Sequence, residues 1–494
     1  MCLTEKFVRL KKKVKRLMHE GFKVVSTSEM ARVEKGGDHI SYMMQAGRKV
    51  ALAAIDYIRI FDLPNKVTLL VGKGNNGGDA YTAGLALLGK DFEVAAIPLY
   101  EEVSPLNKKF RDEFRKKGGR FTEEMDGLLI DGLLGTGFKG KLENKIRKCI
   151  QEANDSDCPI IAIDIPSGLN GSTGVVHDIA IQAKETVMLG LAKIGLFIED
   201  GWKYVGNLLI GDFGLPKEAI AEAEAICYIP KRLELPEIER VRHKYEAGYV
   251  VGYAGSTIFK GAPKMAGLAA LEAGAGIVRV FHPGEIGDTP LELIAVKWNA
   301  KLFKEVLKKA KAVFIGSGLG DCKKWLTTYL KEIKQPCVVD ADALQKGVNY
   351  PQKAVLTPHR GEALRLFGLK AASEEDLFAK AIRFCNEKKV TVVLKGAPTF
   401  IFGPNHKPVI IPRGDPGMAS AGTGDVLTGV IAGIMAQGCS PYESAMIGVT
   451  LHAISGEFAA QDRTSYCMTA TDLLAYLPDA FDVLLKKQEI VPFI

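Results

Sequence analysis

The sequence predicts an α/β protein of two domains, each a parallel sheet with helices on both faces. Three observations predict it. The 494 residues exceed what one hydrophobic core commonly serves. Apolar, β-rich runs alternate with helical patterns along the chain, as strand–helix–strand units require. The 52 glycines gather in short loops between those runs, where strands turn into helices.

The bulk composition fits a soluble globular protein, with 47% hydrophobic and 25% charged residues. The net charge of +7 is local, because residues 1–16 hold seven Lys or Arg against one Glu. The remainder is close to neutral, which argues against a nucleic-acid-binding protein. Residues 1–22 are read as a basic N-terminal extension without the apolar core of a signal peptide. No later stretch reads as a membrane span. Nine cysteines, never spaced C-x-x-C, suggest neither a disulfide framework nor a zinc site, and a reducing cytoplasm is expected.

The first strand series is KVTLLV (66–71), FEVAAIPLY (92–100), DGLLIDGLLG (126–135), PIIAIDIP (159–166) and ETVMLGL (185–191). The second is GYVVGYAG (248–255), GIVRVF (276–281), AVFIGSGLG (312–320), PCVVDADAL (336–344), AVLTPHRGE (354–362) and VTVVLKG (390–396). Residues 221–248 have no clean period, so the boundary is placed near residue 235, giving domains 23–234 and 235–494.

In the first domain, VGKGNNGGDA matches G-x-G-x-x-G literally. Asp79, read as the start of the following helix, would repel a pyrophosphate there, so an ordinary dinucleotide fingerprint is disfavoured. Asp79 as a plain N-cap is the bland reading. Two more loops, 130–141 and 162–174, should open at the same sheet edge. Together they offer Asn76, Asp131, Asp164 and Ser167 as hard oxygen ligands, which suit a large alkali cation better than zinc.

GNNGGDA, DGLLGTGFKG and DIPSGLNGSTG in this order resemble the epimerase domain that acts on hydrated nicotinamide cofactors, NAD(P)HX. The resemblance covers about residues 23–225 and implies a Rossmann-like sheet. It implies hydrate contacts at Asn75, Asn76, Gly77, Gly78 and Asp79, at Gly135, Thr136, Gly137, Phe138, Lys139, Gly140 and Lys141, and at Asp164. It also implies a potassium ion at Asn76, Asp131 and Ser167. Asp164 is the candidate proton-handling group, and Lys193 either assists it or is a solvated lysine.

In the second domain, GMASAGTGDVLTGVIAG (417–433) sets backbone amides around Gly422, Thr423 and Gly424 beside Asp425. Amides can stabilise a transferring phosphoryl group while an adjacent carboxylate takes the proton of the attacking hydroxyl. A capped helix start is the alternative, disfavoured because so many glycines cost backbone entropy without a ligand. IGSGLG and KGAPTF each follow a strand, so their amides and Lys395 can meet phosphates. Asp340 and Asp342 are either magnesium- or phosphate-associated groups or turn residues.

These motifs, with VVDADAL, LTPHRGE and residues 252–280, resemble the NAD(P)HX dehydratase domain, whose fold is ribokinase-like, over about residues 240–480. The resemblance implies hydrate contacts at Ala262, Gly318, His359 and Asp425, with Asp425 as catalytic base. Nucleotide contacts are implied at Lys395, Gly396, Ala397, Pro398, Thr399 and Gly424. His359 is otherwise an ordinary loop residue. The two domains together imply epimerisation of R- and S-NAD(P)HX and dehydration of the S form, with Mg²⁺ and ADP or ATP as phosphoryl donor. The partners implied are NADHX, NADPHX and a nucleotide, in a homo-oligomer without nucleic acid or membrane. Arg360 and Asp415 depart from the family pattern. Arg360 is expected to add positive charge beside the hydrate and favour a 2′-phosphate, and Asp415 to add negative charge near the nucleotide. The rival reading is a ribokinase-like kinase for a sugar or vitamin alcohol, which leaves the first domain without a purpose.

Overall fold

The computed structural model describes residues 21–494, so the basic run of residues 1–16 lies outside the described residues. Two compact units divide between Tyr228 and Ile229. The first comprises Phe22–Tyr228 together with Val491–Ile494, and the second ends at Ile490.

In the first unit, seven strands form one sheet. They are β1 (Lys66–Val71), β2 (Glu93–Pro98), β3 (Arg120–Phe121), β4 (Leu128–Gly132), β5 (Ile160–Ile163), β6 (Glu185–Leu189) and β7 (Asn207–Gly211). Their order across the sheet is β3-β2-β1-β4-β5-β6-β7, and every pairing is parallel. Continuous apolar sequence explains the centre: five of the six residues of β1 and all of β4 are buried, as a strand covered on both faces must be. The strand order reverses between β1 and β4, so the loops leaving their carboxyl ends open a crevice.

Four helices matter to that crevice: α1 (Thr27–Glu34), α2 (His39–Ile60), α3 (Asn75–Leu88) and α4 (Pro105–Lys116). Asp38 caps α2 by accepting from Ile40 N and Ser41 N. Gly74 caps α3 with no side-chain bond. The expectation that Asp79 starts this helix is therefore corrected. The helix begins four residues earlier, because Asn75 and the residues after it can follow a glycine directly into helical geometry, and Asp79 lies in the second turn. The last residues of the chain extend this unit, with Ile210 N donating to Pro492 O at 2.8 Å and Ile494 N to Ile210 O at 3.0 Å.

The second unit carries β8 (Tyr249–Tyr253), β9 (Ile277–His282), β10 (Ile294–Lys297), β11 (Ala312–Ile315), β12 (Cys337–Val339), β13 (Ala354–Leu356), β14 (Thr391–Leu394), β15 (Thr399–Phe402) and β16 (Val409–Ile411). These run β10-β9-β8-β11-β12-β13-β14-β15-β16. The first seven in that order are parallel, and β14-β15-β16 form an antiparallel end. Here the order reverses between β8 and β11. The helices used below are α5 (Ala262–Glu272), α6 (Arg360–Phe367), α7 (Glu374–Lys388), α8 (Thr423–Ala436) and α9 (Pro441–Cys467).

Helices α5 and α8 approach closely. A Cβ on Gly429 would lie 2.1 Å from Ala266 O, and one on Gly433 2.6 Å from Ala270 O. Small residues on both helices allow the backbones to touch, which fixes their N-termini side by side. Among the described residues no helix is long and apolar enough to cross a membrane.

Candidate active sites

The first site lies beyond the carboxyl ends of β1, β4 and β5. Asp164, directly after β5, sits at φ +65° and is 9% exposed. A left-handed conformation is uncommon for a residue with a Cβ, and aspartate tolerates it better than most. Its carboxylate accepts from Leu189 N at 3.0 Å and forms an ion pair with Lys193. Lys193 is 1% exposed and also donates to Leu189 O at 2.7 Å, so it is an interior partner of Asp164 rather than a solvated lysine.

Two further carboxyls share this electrostatic environment. Burial, then the Asp164 and Glu34 charges, push Asp79 well above the usual carboxylate range, with Lys193 opposing. Burial likewise raises Glu34, the last residue of α1. Glu34 was not singled out from the sequence, because nothing in its local pattern marks it.

Asn76, Asp131 and Ser167 converge through one backbone carbonyl. Asn76 Nδ2 donates to Leu134 O at 2.7 Å, and Ser167 Oγ lies 3.3 Å from the same oxygen. Ser167 Oγ and N donate to the two Asp131 carboxylate oxygens at 2.6 and 2.8 Å. Asp131 is fully buried, which pushes it up to about 6 despite the bonds from Ser167 and Leu133. Among the described residues, no Lys or Arg offsets its charge. A buried carboxylate among neutral oxygens and without a cationic partner suits a weakly hydrated cation.

The glycine loop itself is held from α4. Asn107, fully buried, donates through Nδ2 to Gly72 O and Gly74 O, both at 2.9 Å. Sequence reasoning missed it, since it lies 35 residues from Gly72 in no motif. Packing accounts for two of the glycines: a Cβ on Gly77 would meet Asn107 Nδ2 at 2.5 Å, and one on Gly78 would meet Met43 Sδ at 2.5 Å. Asn75 is exposed at the loop, accepting from Ser104 Oγ at 3.0 Å. The stretch 135–141 is a loop of intermediate to full exposure that leaves the end of β4, with Gly135 against Asn76.

The second site lies where α8 begins. Gly422 is its N-cap at φ +95°, a conformation glycine adopts without strain. Asp425 follows in the first turn. Asp340, after β12, is buried and accepts from Lys395 Nζ at 2.8 Å and from Thr357 Oγ1 at 2.7 Å. Lys395, at the end of β14, is 3.9 Å from Glu362 as well. Burial pulls the Lys395 ammonium down, but Asp340, Glu362 and Asp425 outweigh it and the net shift is upward. Gly424 faces this pair, since a Cβ there would lie 3.5 Å from Lys395 Nζ.

Burial, then the Asp340 charge, push Asp425 up to about 6. The neighbouring Ser317 hydroxyl and Lys395 partly oppose the rise. His452, on α9, donates from Nε2 to Thr423 O at 2.9 Å, and burial pushes it down to about 4, so it is a neutral prop behind the helix start. Gly318, at φ +65°, is tight against Ala262 and Phe259, whose Cβ atoms would lie 3.0 and 2.7 Å from an added Cβ. Residues 395–399 form a turn in which Gly396 and Ala397 are exposed, Ala397–Pro398 is cis, and Thr399 Oγ1 donates to Gly396 O at 3.0 Å.

His359 caps α6, its Nδ1 accepting from Gly361 N at 3.0 Å and Glu362 N at 3.3 Å. Its Nε2 therefore carries the proton. Asp342 accepts from Gly320 N at 2.8 Å and serves the turn after β11.

The two residues that depart from the family pattern are both engaged by neighbours. Arg360 is not free beside the hydrate: it pairs with Glu374 and donates to Ala372 O at 2.8 Å, because α7 starts within its reach. Asp415 is spent on its own turn, accepting from Gly417 N at 2.7 Å and Ser465 Oγ at 3.0 Å.

Comparisons with known proteins cover both halves of the chain. Residues 250–479 match the family model of NAD(P)H-hydrate dehydratase, and residues 40–195 that of the YjeF-related protein N-terminus. The chain is 32% identical to a bifunctional NAD(P)H-hydrate repair enzyme of Moorella thermoacetica, over 92% of this chain and 96% of that protein. To the enzyme of that name in Escherichia coli it is 33% identical, over 83% and 84%. A Bacillus subtilis ADP/ATP-dependent NAD(P)H-hydrate dehydratase, crystallised with ATP and Mg²⁺, aligns at 27% identity and a TM-score of 0.46, covering 51% of this chain and 95% of that one. With two sites on two sheets and relatives matched along nearly their whole length, this chain belongs to the bifunctional NAD(P)H-hydrate repair enzyme family.

Proposed function

We propose that the second site dehydrates S-NAD(P)HX with ADP or ATP as phosphoryl donor, and that the first interconverts the R and S epimers. The observation that carries the reading is Asp425: a half-buried carboxylate in the first turn of a glycine-capped helix, beside the Lys395–Asp340 pair.

The hydrate carries a hydroxyl on a ring carbon, a poor leaving group. Asp425 takes the hydroxyl proton as that oxygen attacks the terminal phosphorus of the nucleotide, which departs one phosphoryl group shorter. The amides around Gly422, Thr423 and Gly424 meet the charge on the transferring phosphoryl oxygens. The carbon–oxygen bond then breaks with loss of a proton from the adjacent ring carbon, releasing phosphate and restoring the double bond of NAD(P)H. Ala262, Gly318 and His359 bound the hydrate, and residues 395–399 with Gly424 bound the nucleotide. Lys395 contributes positive charge to the phosphates while Asp340 holds it in place. Mg²⁺ is proposed to enter with the nucleotide, since no group of three or more His, Cys, Asp or Glu among the described residues could hold a metal ion.

At the first site, residues 75–79 and 135–141 bind the hydrated dinucleotide. Asp79, which burial keeps protonated more readily than an ordinary carboxyl, delivers a proton to the departing ring hydroxyl. Asp164, held by Lys193, accepts one as water returns to either face of the ring. Asn76, Asp131 and Ser167 would hold a potassium ion, which supplies positive charge for the substrate phosphates.

The test is absorbance at 340 nm after adding the protein with Mg²⁺ and ADP, then ATP, to mixed R- and S-NADHX. Recovery from both epimers, absent in Asp425→Asn, is expected; a general base of this kind commonly contributes about 10²–10⁴-fold. No recovery with either nucleotide refutes the dehydratase reading.

A further inference from the structure

The glycine loop and the loop 135–141 form two walls of the first site, and they are secured differently. Asn107 and Ser104 hold the first, Ser104 N donating to Lys73 O at 2.9 Å. The second is fixed where it begins, with Leu134 N donating to Ser167 Oγ at 2.8 Å. Among the described residues, no hydrogen bond ties 136–141 to another element. Phe138 N donates within the loop, to Gly135 O at 3.1 Å.

Glu143 stands at the far end of that loop, two residues beyond Lys141. It is the N-cap of the helix Asn144–Asp155, yet its side chain makes no capping hydrogen bond. A side-chain oxygen at an N-cap ordinarily accepts from the first free amides of its own helix. The Glu143 carboxylate reaches to other elements instead. Its Oε1 accepts from Lys73 Nζ of the glycine loop at 2.7 Å, and its Oε2 from Tyr100 OH, just after β2, at 2.7 Å. Lys145 covers the Tyr100 ring, its Nζ 3.3 Å from the ring centre. A cation over an aromatic face is attractive, so Lys145 helps to keep the phenol in place. Leu142 and Tyr100 also rest against one apolar cluster.

We propose that Glu143 is a positioning residue for the epimerase: it ties the hydrate-binding loop to the glycine loop through Lys73 and Tyr100, and so keeps the two walls at the spacing the hydrate needs. The proposal rests on the reading of 75–79 and 135–141 as the hydrate-binding loops. Lys73 and Glu143 are about half exposed, at 56% and 49%. A pair so open to water adds little to folding. It matters more to a loop that no other hydrogen bond secures, because the cost of ordering that loop otherwise falls on hydrate binding.

The test follows conversion of pure R-NADHX to the S epimer by chromatography, in the full-length protein without nucleotide, so that dehydration is silent. Glu143→Ala should raise KM about three- to fivefold, the most that an exposed ion pair commonly supplies, and leave kcat near wild type. Its melting temperature should stay within about 2 °C of wild type, and its dehydration of S-NADHX should be unaltered. Lys73→Glu should raise KM as well. Combining Lys73→Glu with Glu143→Lys restores an opposite pair and should return KM toward wild type. If the exchanged pair stays as poor as Lys73→Glu alone, Lys73 meets the substrate directly and the proposal fails. An unmoved KM in a folded Glu143→Ala overturns it too. If the wild type itself does not interconvert the epimers, the reading of the first site fails, and the role assigned to Glu143 fails with it.

Discussion

Replacing Asp164 by Asn should destabilise the first unit through the partner it abandons. Lys193 is 1% exposed and would be left as an interior ammonium bonded to Leu189 O. Asparagine tolerates the φ of +65° and can still accept from Leu189 N, so the change isolates the charge. Breaking a buried ion pair from one side costs about 3–5 kcal/mol. The lower figure applies here, because Asp79 and Glu34 both feel Lys193 and would ionise more readily once Asp164 is neutral. For a unit of this size each kcal/mol lowers Tm by about 2–4 °C, so a drop of roughly 6–12 °C is expected. Calorimetry of the full chain reads it, and dehydration of pure S-NADHX should be unchanged at low temperature. Adding Lys193→Met should recover most of the stability, because no unpaired charge remains, while epimerisation stays lost. If Asp164→Asn melts within about 1 °C of wild type, Lys193 is not dependent on Asp164 and the reasoning fails.

Asp131 gives a prediction in pH and salt. Its folded pKa of about 6 lies above the ordinary carboxylate value, so the folded state binds its proton more tightly than the unfolded state. Stability from this group is therefore greatest at low pH, falls as pH rises from about 4 to about 6, and is flat above, for a total on the order of 3 kcal/mol. Potassium bound at Asn76, Asp131 and Ser167 should offset the loss, so K⁺ should raise the melting temperature at pH 8 more than at pH 5, and Li⁺ should not substitute. Equal shifts at both pH values count against the site. Arg360→Ala should leave the ratio of kcat/KM for NADPHX and NADHX unchanged, since the guanidinium is engaged by Glu374 and Ala372 O; a tenfold fall for NADPHX would show that it reaches the substrate.

The central strands were legible because buried parallel strands are written as unbroken apolar runs, and β1, β4, β8 and β11 fall inside the runs read from the sequence. The two-residue β3 and the partly exposed β10 lack such runs and were not anticipated. Site residues inside glycine motifs were likewise visible, since the motif reports a backbone constraint. Glu34, Asn107, Glu362 and His452 were not singled out. Each acts through a partner on another element, and no local spacing records that partner. Asp79 was misplaced for the opposite reason: an aspartate after glycines looks like a cap, but the preceding Gly74 already served.

The glycines of 417–433 show how an expectation can rest on a partly wrong cause. Their number suggested a ligand, on the ground that glycine is costly without one. Most are required by packing: Gly429 and Gly433 admit the α5 backbone, and a Cβ on Gly417 would meet Met468 Sδ at 2.4 Å. Only Gly422, with its positive φ, and Gly424, facing Lys395 and Asp340, remain for the site. The packing glycines are not incidental to function, however. By letting α5 and α8 touch, they bring Met265 of α5 to within 2.4 Å of where a Gly422 Cβ would stand. Ala262, proposed to bound the hydrate, and Asp425, the proposed base, are thereby set by one helix contact. A side chain inserted at Gly429, one turn beyond Asp425, would displace the base relative to the substrate before it touched either of them.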